Sequence, residues 1–238
     1  MFKKVNQADK QKNTHEVETA ELIKESARDV NKDVNKRVEV AGDPNTPKEV
    51  LAKLADDEKG RVRERVAGNP NASRHTLAKL AKDPYSLFAV AENPNTPRHI
   101  LAKLARHALA ELAKEANDID ILILYSPYSP YDLLLEAVAR NPNTPRRILD
   151  KLSKNPDDSI KLEVAKNHNT SQFTLVRLAQ DPLGDISRAA KANLTITKEE
   201  FDKLAKRVAI HDNIEELLRK IKDTLVDIKD SFVAFFTV

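Results

Sequence analysis

The side chains with the clearest chemical pattern in this sequence are cations that recur at fixed spacing. A lysine column contains Lys53, Lys79, Lys103, Lys151, Arg177 and Lys203, separated by 26, 24, 48, 26 and 26 residues. An arginine column lies five residues earlier in each case and contains Lys48, Arg74, Arg98, Arg146, Gln172 and Lys198. Rows of cations attract carboxylates or phosphates, so the columns indicate a surface for an acidic protein or a nucleic-acid backbone. The alternative is that these residues only keep helix surfaces soluble and were copied with each repeat.

A second candidate for binding is a cluster that holds three of the four tyrosines, Tyr125, Tyr128 and Tyr131. Prolines 127 and 130 interrupt the cluster and favour an extended or turn segment over a helix. Tyrosine offers a large contact area with a polar tip, so the cluster could form a patch for a partner. The alternative is that the rings pack between neighbouring repeats.

Catalytic and cofactor chemistry finds little support in the residue pattern. The chain has no cysteine, which excludes disulfides, thiolate metal sites and cysteine nucleophiles. His75 and His99 occupy equivalent positions, yet no carboxylate pattern completes a metal site around them. No glycine-rich phosphate loop or nucleophile elbow is present. We therefore expect no enzymatic activity, no cofactor and no bound metal.

Composition and charge predict a folded cytoplasmic protein without a membrane partner. Hydrophobic residues make up 40% of the chain and charged residues 32%. No stretch approaches the roughly 18 to 20 apolar residues that cross a bilayer, and the N-terminus lacks the apolar run of a signal peptide. The net charge of +3 is too small to imply a nucleic-acid partner by itself.

The cation columns depend on a repeated motif that is predicted to start a helix. The run Asn-Pro-Asn-Thr-Pro at 93–97 returns unchanged at 141–145, and looser copies begin at Asp43, Asn69, Asn167 and Asn193. We predict that the motif threonines 46, 96 and 144 are N-caps and that the following prolines take the first helical position. Glu49 and Glu200 are predicted to complete capping boxes with Thr46 and Thr197.

Each repeat is predicted to contain two helices. The first buries leucines at positions eight and eleven after the motif start, as in Leu101 and Leu104. The second is short and carries apolar residues four apart, as in Val62 and Val66. No segment shows the strict alternation of a half-buried strand.

The motif, the period and their order resemble the leucine-rich repeat variant family over roughly residues 43 to 209. The resemblance implies an all-α, right-handed superhelical solenoid in which α-helices alternate with short 3₁₀- or α-helices, without a β-sheet. Some relatives in that family carry a cysteine-rich iron–sulfur segment. This chain has no cysteine, so that function is not carried over.

The domain prediction has four parts. Residues 1–16 form a loose tail, 17–42 a helical N-terminal cap, 43–209 the repeats with a degenerate copy at 117–140, and 210–238 an amphipathic C-terminal helix or cap. Seven apolar residues in the last part are spaced 4, 3, 4, 3, 4, 3, as in a coiled coil: Ile214, Leu218, Ile221, Leu225, Ile228, Phe232 and Phe235. This stripe either folds back over the last repeat or drives self-association through 214–235.

Taken together, these patterns predict a non-enzymatic scaffold of about seven repeats that binds a protein partner along the cation columns, with an acidic partner favoured. The alternative is sequence-nonspecific binding of nucleic acid along the same columns. That alternative is weakened because the chain has no tryptophan and few aromatic residues on which bases could stack.

Overall fold

The fold is all-helical throughout the part of the chain that is described. The computed structural model describes residues 34–115 and 129–236, with the side chains of 34–113 and 129–226. Within these ranges there is no strand, and the shorter helices are α-helices. The helices are α1 (Val34–Gly42), α2 (Lys48–Leu54), α3 (Gly60–Gly68), α4 (Arg74–Leu80), α5 (Leu87–Glu92), α6 (Arg98–Glu115), α7 (Pro130–Arg140), α8 (Arg146–Leu152), α9 (Asp158–Lys166), α10 (Gln172–Leu178), α11 (Gly184–Asn193) and α12 (Lys198–Phe236).

The chain divides into two compact units, one ending at Asn169 and the other beginning at Thr170. The first unit contains α1 to α9, and the second contains α10 to α12. In the first unit, α1, α3, α5, α7 and α9 form a row, because each contacts the next member of this series. In the second unit, α10 contacts both α11 and α12.

The predicted core positions are confirmed in the helix that follows each motif. A leucine at each of two positions, three residues apart, places both side chains on one helical face. All ten of these leucines are buried, with at most 8% of their surface exposed: Leu51, Leu54, Leu77, Leu80, Leu101, Leu104, Leu149, Leu152, Leu175 and Leu178. Burial of one such side chain contributes about 2 kcal/mol.

The apolar pairs predicted for the second helix of each repeat are buried as well. Val62 and Val66 of α3 have no exposed surface, and neither do Ile160 and Val164 of α9. Helices of nine residues are marginal alone, so packing within the row stabilises them. The short helices therefore form part of the core of the first unit.

In four of the motifs the first asparagine joins one repeat to the preceding one. Asn93 Nδ2 donates to the backbone carbonyls of Ala67, at 2.7 Å, and Asn69, at 2.9 Å. Its Oδ1 accepts a hydrogen bond of 2.9 Å from the backbone N–H of Asn95. The same pair of donations joins Asn69 to Ala41 and Asp43, Asn141 to Ala91 and Asn93, and Asn167 to Ala139 and Asn141. We call this series the asparagine ladder.

The asparagine ladder changes the interpretation of the 48-residue interval. Asn141 bonds directly to Ala91 and Asn93, as one neighbouring repeat bonds to another. Helix α7 also contacts α5 directly. Asn141 is therefore the next step of the ladder after Asn93, whereas the sequence predicted a degenerate copy between them at 117–140. Residues 116–128 of that interval lie outside the described ranges.

The motif threonines have a different role from the predicted N-cap. Thr96 Oγ1 donates 2.6 Å to the carbonyl of Val90, six residues earlier, and Thr46 and Thr144 bond in the same way to Val40 and Val138. The N-cap prediction is wrong because the hydroxyl satisfies a carbonyl at the end of the preceding helix.

The positions of the predicted caps shift accordingly. Pro47 occupies the N-cap position of α2, where no side chain makes a cap bond. The capping box predicted for Thr46 and Glu49 is therefore wrong. The box at α12 is confirmed, because the backbone N–H of Thr197 donates 2.9 Å to Glu200 Oε2 and that of Glu200 donates 3.3 Å to Thr197 Oγ1.

The predicted N-terminal cap, 17–42, is described only from residue 34 onward. That part is α1, which accepts bonds of the asparagine ladder at Ala41 and contacts α3. It therefore serves as the first short helix of the row.

The C-terminal helix α12 is continuous over 39 residues and crosses the boundary predicted between 209 and 210. Its N-terminal half is fixed to α10, where the rings of Phe173 and His211 meet edge to face at 5.4 Å. Beyond that contact, Ile214 and Leu218 are 52% and 59% exposed. Over the side chains described, the stripe does not fold back over the last repeat. No helix in the described ranges has the length and apolar content to cross a bilayer.

Candidate binding surface

The arginine column of the first unit stands at the starts of four helices. Lys48, Arg74, Arg98 and Arg146 are the first residues of α2, α4, α6 and α8, and all four are exposed. None of them makes an ion pair or a side-chain hydrogen bond with another described residue. Each side chain is therefore available to solvent or to a partner.

The second asparagine of each motif brings these helix starts together. Asn71 Nδ2, just before α4, donates 3.2 Å to the carbonyl of Thr46, just before α2. Asn95 Nδ2 donates 2.6 Å to the carbonyl of Pro70, and Asn143 Nδ2 bonds to the carbonyl of Pro94. Consecutive motif turns are therefore direct neighbours, and the cations that follow them share one edge of the unit.

The lysine column of the first unit lies five residues further along the same helices. Lys53, Lys79 and Lys151 lie in the last turns of α2, α4 and α8. Lys79 forms an ion pair with Asp56. Lys53, Lys103 and Lys151 are exposed, and within the described residues they form no ion pair.

The helix dipole distinguishes the two columns. A cation in the last turn is favoured by the partial negative charge at the helix C-terminus, by about 0.3 to 1 kcal/mol. Helix stability alone therefore accounts for Lys53, Lys79 and Lys151. A cation in the first turn is opposed by the same effect, so helix stability does not account for Arg74 and Arg146.

The second unit contributes less to the cation pattern than the sequence predicted. The side chain of Arg177 is only 14% exposed and its Nη2 lies 2.9 Å from Asp212 Oδ1. Its guanidinium carbon also lies 5.3 Å from the ring centre of Phe173. Lys203 is exposed and bonds to Glu199, four residues earlier, at 2.7 Å. Arg177 therefore stabilises the contact between α10 and α12 and is not free for a partner.

The tyrosine cluster is described only at Tyr131, since Tyr125 and Tyr128 lie outside the described residues. Tyr131 is half-buried, and its ring meets that of His107 edge to face at 5.8 Å. This contact joins α7 to α6. Tyr131 therefore has a packing role within the first unit.

Two arginines that the sequence analysis did not single out link consecutive repeats. Arg63 Nε donates 2.9 Å to Asp83 Oδ2, and Arg37 Nε donates 2.6 Å to Asp57 Oδ2. The hydrogen bond from Arg63, assisted by Ser86, holds the pKa of Asp83 below its usual value although burial opposes this. The signal was an arginine six residues before a motif start and an aspartate fourteen residues after it.

Two further features, an acidic cluster and a pocket, do not form a site of defined chemistry. His211, Asp212 and Glu215 place their ligand atoms within 4.8 Å of one another, but Arg177 is bonded to Asp212 and its charge opposes a cation there. A pocket of about 510 Å³ lies beside α3 and is lined by Gly42, Arg61, Glu64, Arg65, Gly68, Asn69, Phe88, Ala89 and Glu92. Its two arginines and two glutamates balance, so its charge selects no class of ligand.

Comparisons with protein-family models, with curated proteins and with solved structures give no match to this chain. The proposal for its function therefore rests on the geometry and charge of the described surface.

Proposed function

We propose that this chain is a non-enzymatic scaffold that binds an acidic protein segment along its exposed cation columns. The observation that carries the proposal is the arginine column of the first unit. Its four cations are exposed, make no ion pair with described residues, and stand at helix starts, where the helix dipole opposes them. Residues that lower local stability and recur at equivalent positions are typical of functional surfaces.

We also propose that the repeats form an α-solenoid of the leucine-rich repeat variant type, with a right-handed superhelical course. The repeated asparagine ladder and the row of short helices in the first unit support this proposal. In such an array each repeat contacts mainly its neighbours, and equivalent side chains form long rows. A row of cations matches an extended acidic segment in shape and in charge. The cytoplasmic location stays a prediction.

The test compares variants that make the same change in net charge on different faces. The first variant carries Arg74→Glu, Arg98→Glu and Arg146→Glu. A lysine-column variant carries Lys53→Glu, Lys103→Glu and Lys151→Glu. A control on the short helices carries Arg61→Glu, Arg65→Glu and Lys166→Glu. Binding of fluorescent poly-L-glutamate is measured by anisotropy between 50 and 300 mM salt, with thermal unfolding of each variant recorded in parallel.

We expect the arginine-column variant to lose at least tenfold in affinity without losing stability, because an acidic residue in a first turn is favoured by the helix dipole. The lysine-column variant should lose both affinity and stability. The control should keep most of its affinity. Equal losses in all three variants would show that binding follows net charge and would overturn the proposal.

Binding of duplex DNA over the same salt range tests the alternative function, nucleic-acid binding. If the four cations of the arginine column each contacted a phosphate, log K would fall with log salt at a slope of about −3.6, from about −0.9 per contact. DNA binding with that slope, combined with no binding of poly-L-glutamate, would replace the protein partner with nucleic acid. A shallow slope of log K against log salt would exclude binding of nucleic acid along the arginine column.

A further inference from the structure

Helix α12 exposes an apolar stripe that has no partner among the described residues. Six large apolar side chains between 210 and 225 are each 47% to 60% exposed: Ile210, Ile214, Leu217, Leu218, Ile221 and Leu225. Single exposed apolar residues are common on protein surfaces, but a continuous stripe of this kind marks a contact surface.

The opposite face of α12 is already satisfied by charge pairs. Glu216 bonds to Arg219 and lies 3.5 Å from Lys220, at the i,i+3 and i,i+4 spacings that stabilise an exposed helix. Asp212, which bonds to Arg177 of α10, lies seven residues before Arg219 and so on the same side of the helix as these charge pairs. The helix is therefore polar where it meets water and apolar where nothing described covers it.

The stripe has the register of a coiled coil. Its 4, 3 spacing begins at Ile214 and continues in the sequence to Phe235, about 22 residues, or about 33 Å of helix at 1.5 Å per residue. Because the step from Leu218 to Ile221 is three residues and that from Ile221 to Leu225 is four, leucines 218 and 225 take the a positions and isoleucines 214 and 221 the d positions.

This register identifies the occupant as further copies of the same helix. We propose that α12 associates with α12 of other copies of this chain in a parallel, four-stranded coiled coil. Leucine at a with isoleucine at d favours four strands over two. The apolar residues Ile210 and Leu217, at g positions, widen the stripe as assemblies of more than two helices require. This inference does not depend on the proposed function of the cation columns.

The rule that relates the a and d residues to the number of strands holds for parallel helices, so the proposed assembly is parallel. The e positions of this register carry Glu215, Lys222 and Lys229. An antiparallel pair with Ile221 opposite Leu225 would bring Lys222 near its own counterpart and Glu215 near Lys229, so like and opposite charges would both meet across the axis. In the parallel arrangement each Lys222 neighbours the g residues Leu217 and Thr224 of an adjacent helix, so its charge meets no other cation.

Sedimentation equilibrium of the full chain from 1 to 200 µM tests the assembly. We expect a species of four times the chain mass, and we expect Leu218→Gln combined with Leu225→Gln to shift its midpoint concentration upward at least a hundredfold. Glutamine keeps the helix propensity, and circular dichroism at high concentration checks that the fold persists. A control with Glu216→Gln and Arg219→Gln on the polar face should leave the assembly unchanged.

Several outcomes would overturn the proposal. A strict monomer at 200 µM removes the second copy as the occupant, and a dimer removes the four-stranded assembly. A monomer whose α12 binds vesicles of anionic phospholipid would identify a membrane surface as the occupant. For orientation, the absence of cysteine allows a single Leu218→Cys variant. A short bismaleimide should join two copies of that variant, and failure to do so within the intact assembly would overturn the parallel arrangement.

Discussion

Replacing Asn93 by alanine tests whether the asparagine ladder holds the repeats together. The side chain is 2% exposed and makes three hydrogen bonds, two to carbonyls of the preceding repeat and one from the N–H of Asn95. Each such bond contributes about 0.5 to 1.5 kcal/mol, and a buried group left without a partner costs about 1 to 3 kcal/mol. We therefore expect Asn93→Ala to lower the free energy of unfolding by about 3 kcal/mol.

The matched control is the second asparagine of the same motif. Asn95 donates one bond, of 2.6 Å, from an exposed side chain to the carbonyl of Pro70. Asn95→Ala should cost about 1 kcal/mol or less, because water replaces the lost partner. Urea denaturation followed by circular dichroism measures both variants. Hydrogen exchange of the α3 and α5 amides shows whether the loss is local, as expected for a repeat array.

A second substitution at this position tests whether the two carbonyl oxygens disfavour a negative charge. Asn93→Asp keeps the shape but places a carboxylate against two carbonyl oxygens, so ionisation is disfavoured and the pKa of the new carboxyl is raised in the folded state. Its destabilisation should be largest above that raised pKa and should decrease as pH falls through it. If Asn93→Ala cost no more than Asn95→Ala, or if Asn93→Asp were insensitive to pH, the ladder would not be a major source of stability.

Two further predictions concern the links between repeats. The hydrogen bond from Arg63 lowers the pKa of Asp83. This pair therefore stabilises the folded state above the ordinary aspartate pKa and loses that contribution as pH falls through the lowered value. Asp83→Asn should remove this part of the acid dependence of the unfolding free energy, measured by urea titrations from pH 7 to pH 2. A Cβ at Gly60 would lie 2.7 Å from Tyr85 Cγ, so Gly60→Ala should destabilise by about 1 kcal/mol. In a Tyr85→Ala background the same change should be neutral or stabilising, as thermal unfolding of the four variants would show.

The core was predictable from sequence because it depends on local spacing. Leucines three apart, as in Leu101 and Leu104, share a helical face in any amphipathic helix, and their burial follows. The short helices were predictable for the same reason. The capping box of Thr197 and Glu200 was also predictable, since both partners lie within one turn.

The contacts between repeats were not predictable from local rules. Thr96 and Asn93 are ordinary cap and turn residues by type, but their partners lie six to 26 residues away, at positions set by the angle between helices. The same limit applies to the 48-residue interval, which by its length divides evenly into two repeats. Only the bonds of Asn141 show that it is one step.

The sequence allowed two predictions for the apolar stripe on α12, and residue spacing alone did not distinguish between them. A stripe of period 3.5 has the same residues whether it covers its own repeats or another chain. The contact between His211 and Phe173 fixes the direction in which α12 leaves α10, and only then is Ile214 seen to be exposed.

The asparagine ladder has a consequence for how such a chain changes in evolution. Its acceptors are backbone carbonyls, which every residue type supplies, so a repeat can join any predecessor regardless of the side chains around it. The donors always point toward the N-terminal neighbour, as Asn93 does toward Asn69. Tandem duplication at an internal junction therefore yields a compatible joint at once. The interval between ladder asparagines also varies, from 24 residues between Asn69 and Asn93 to 48 between Asn93 and Asn141, while the next asparagine still bonds to the two equivalent carbonyls.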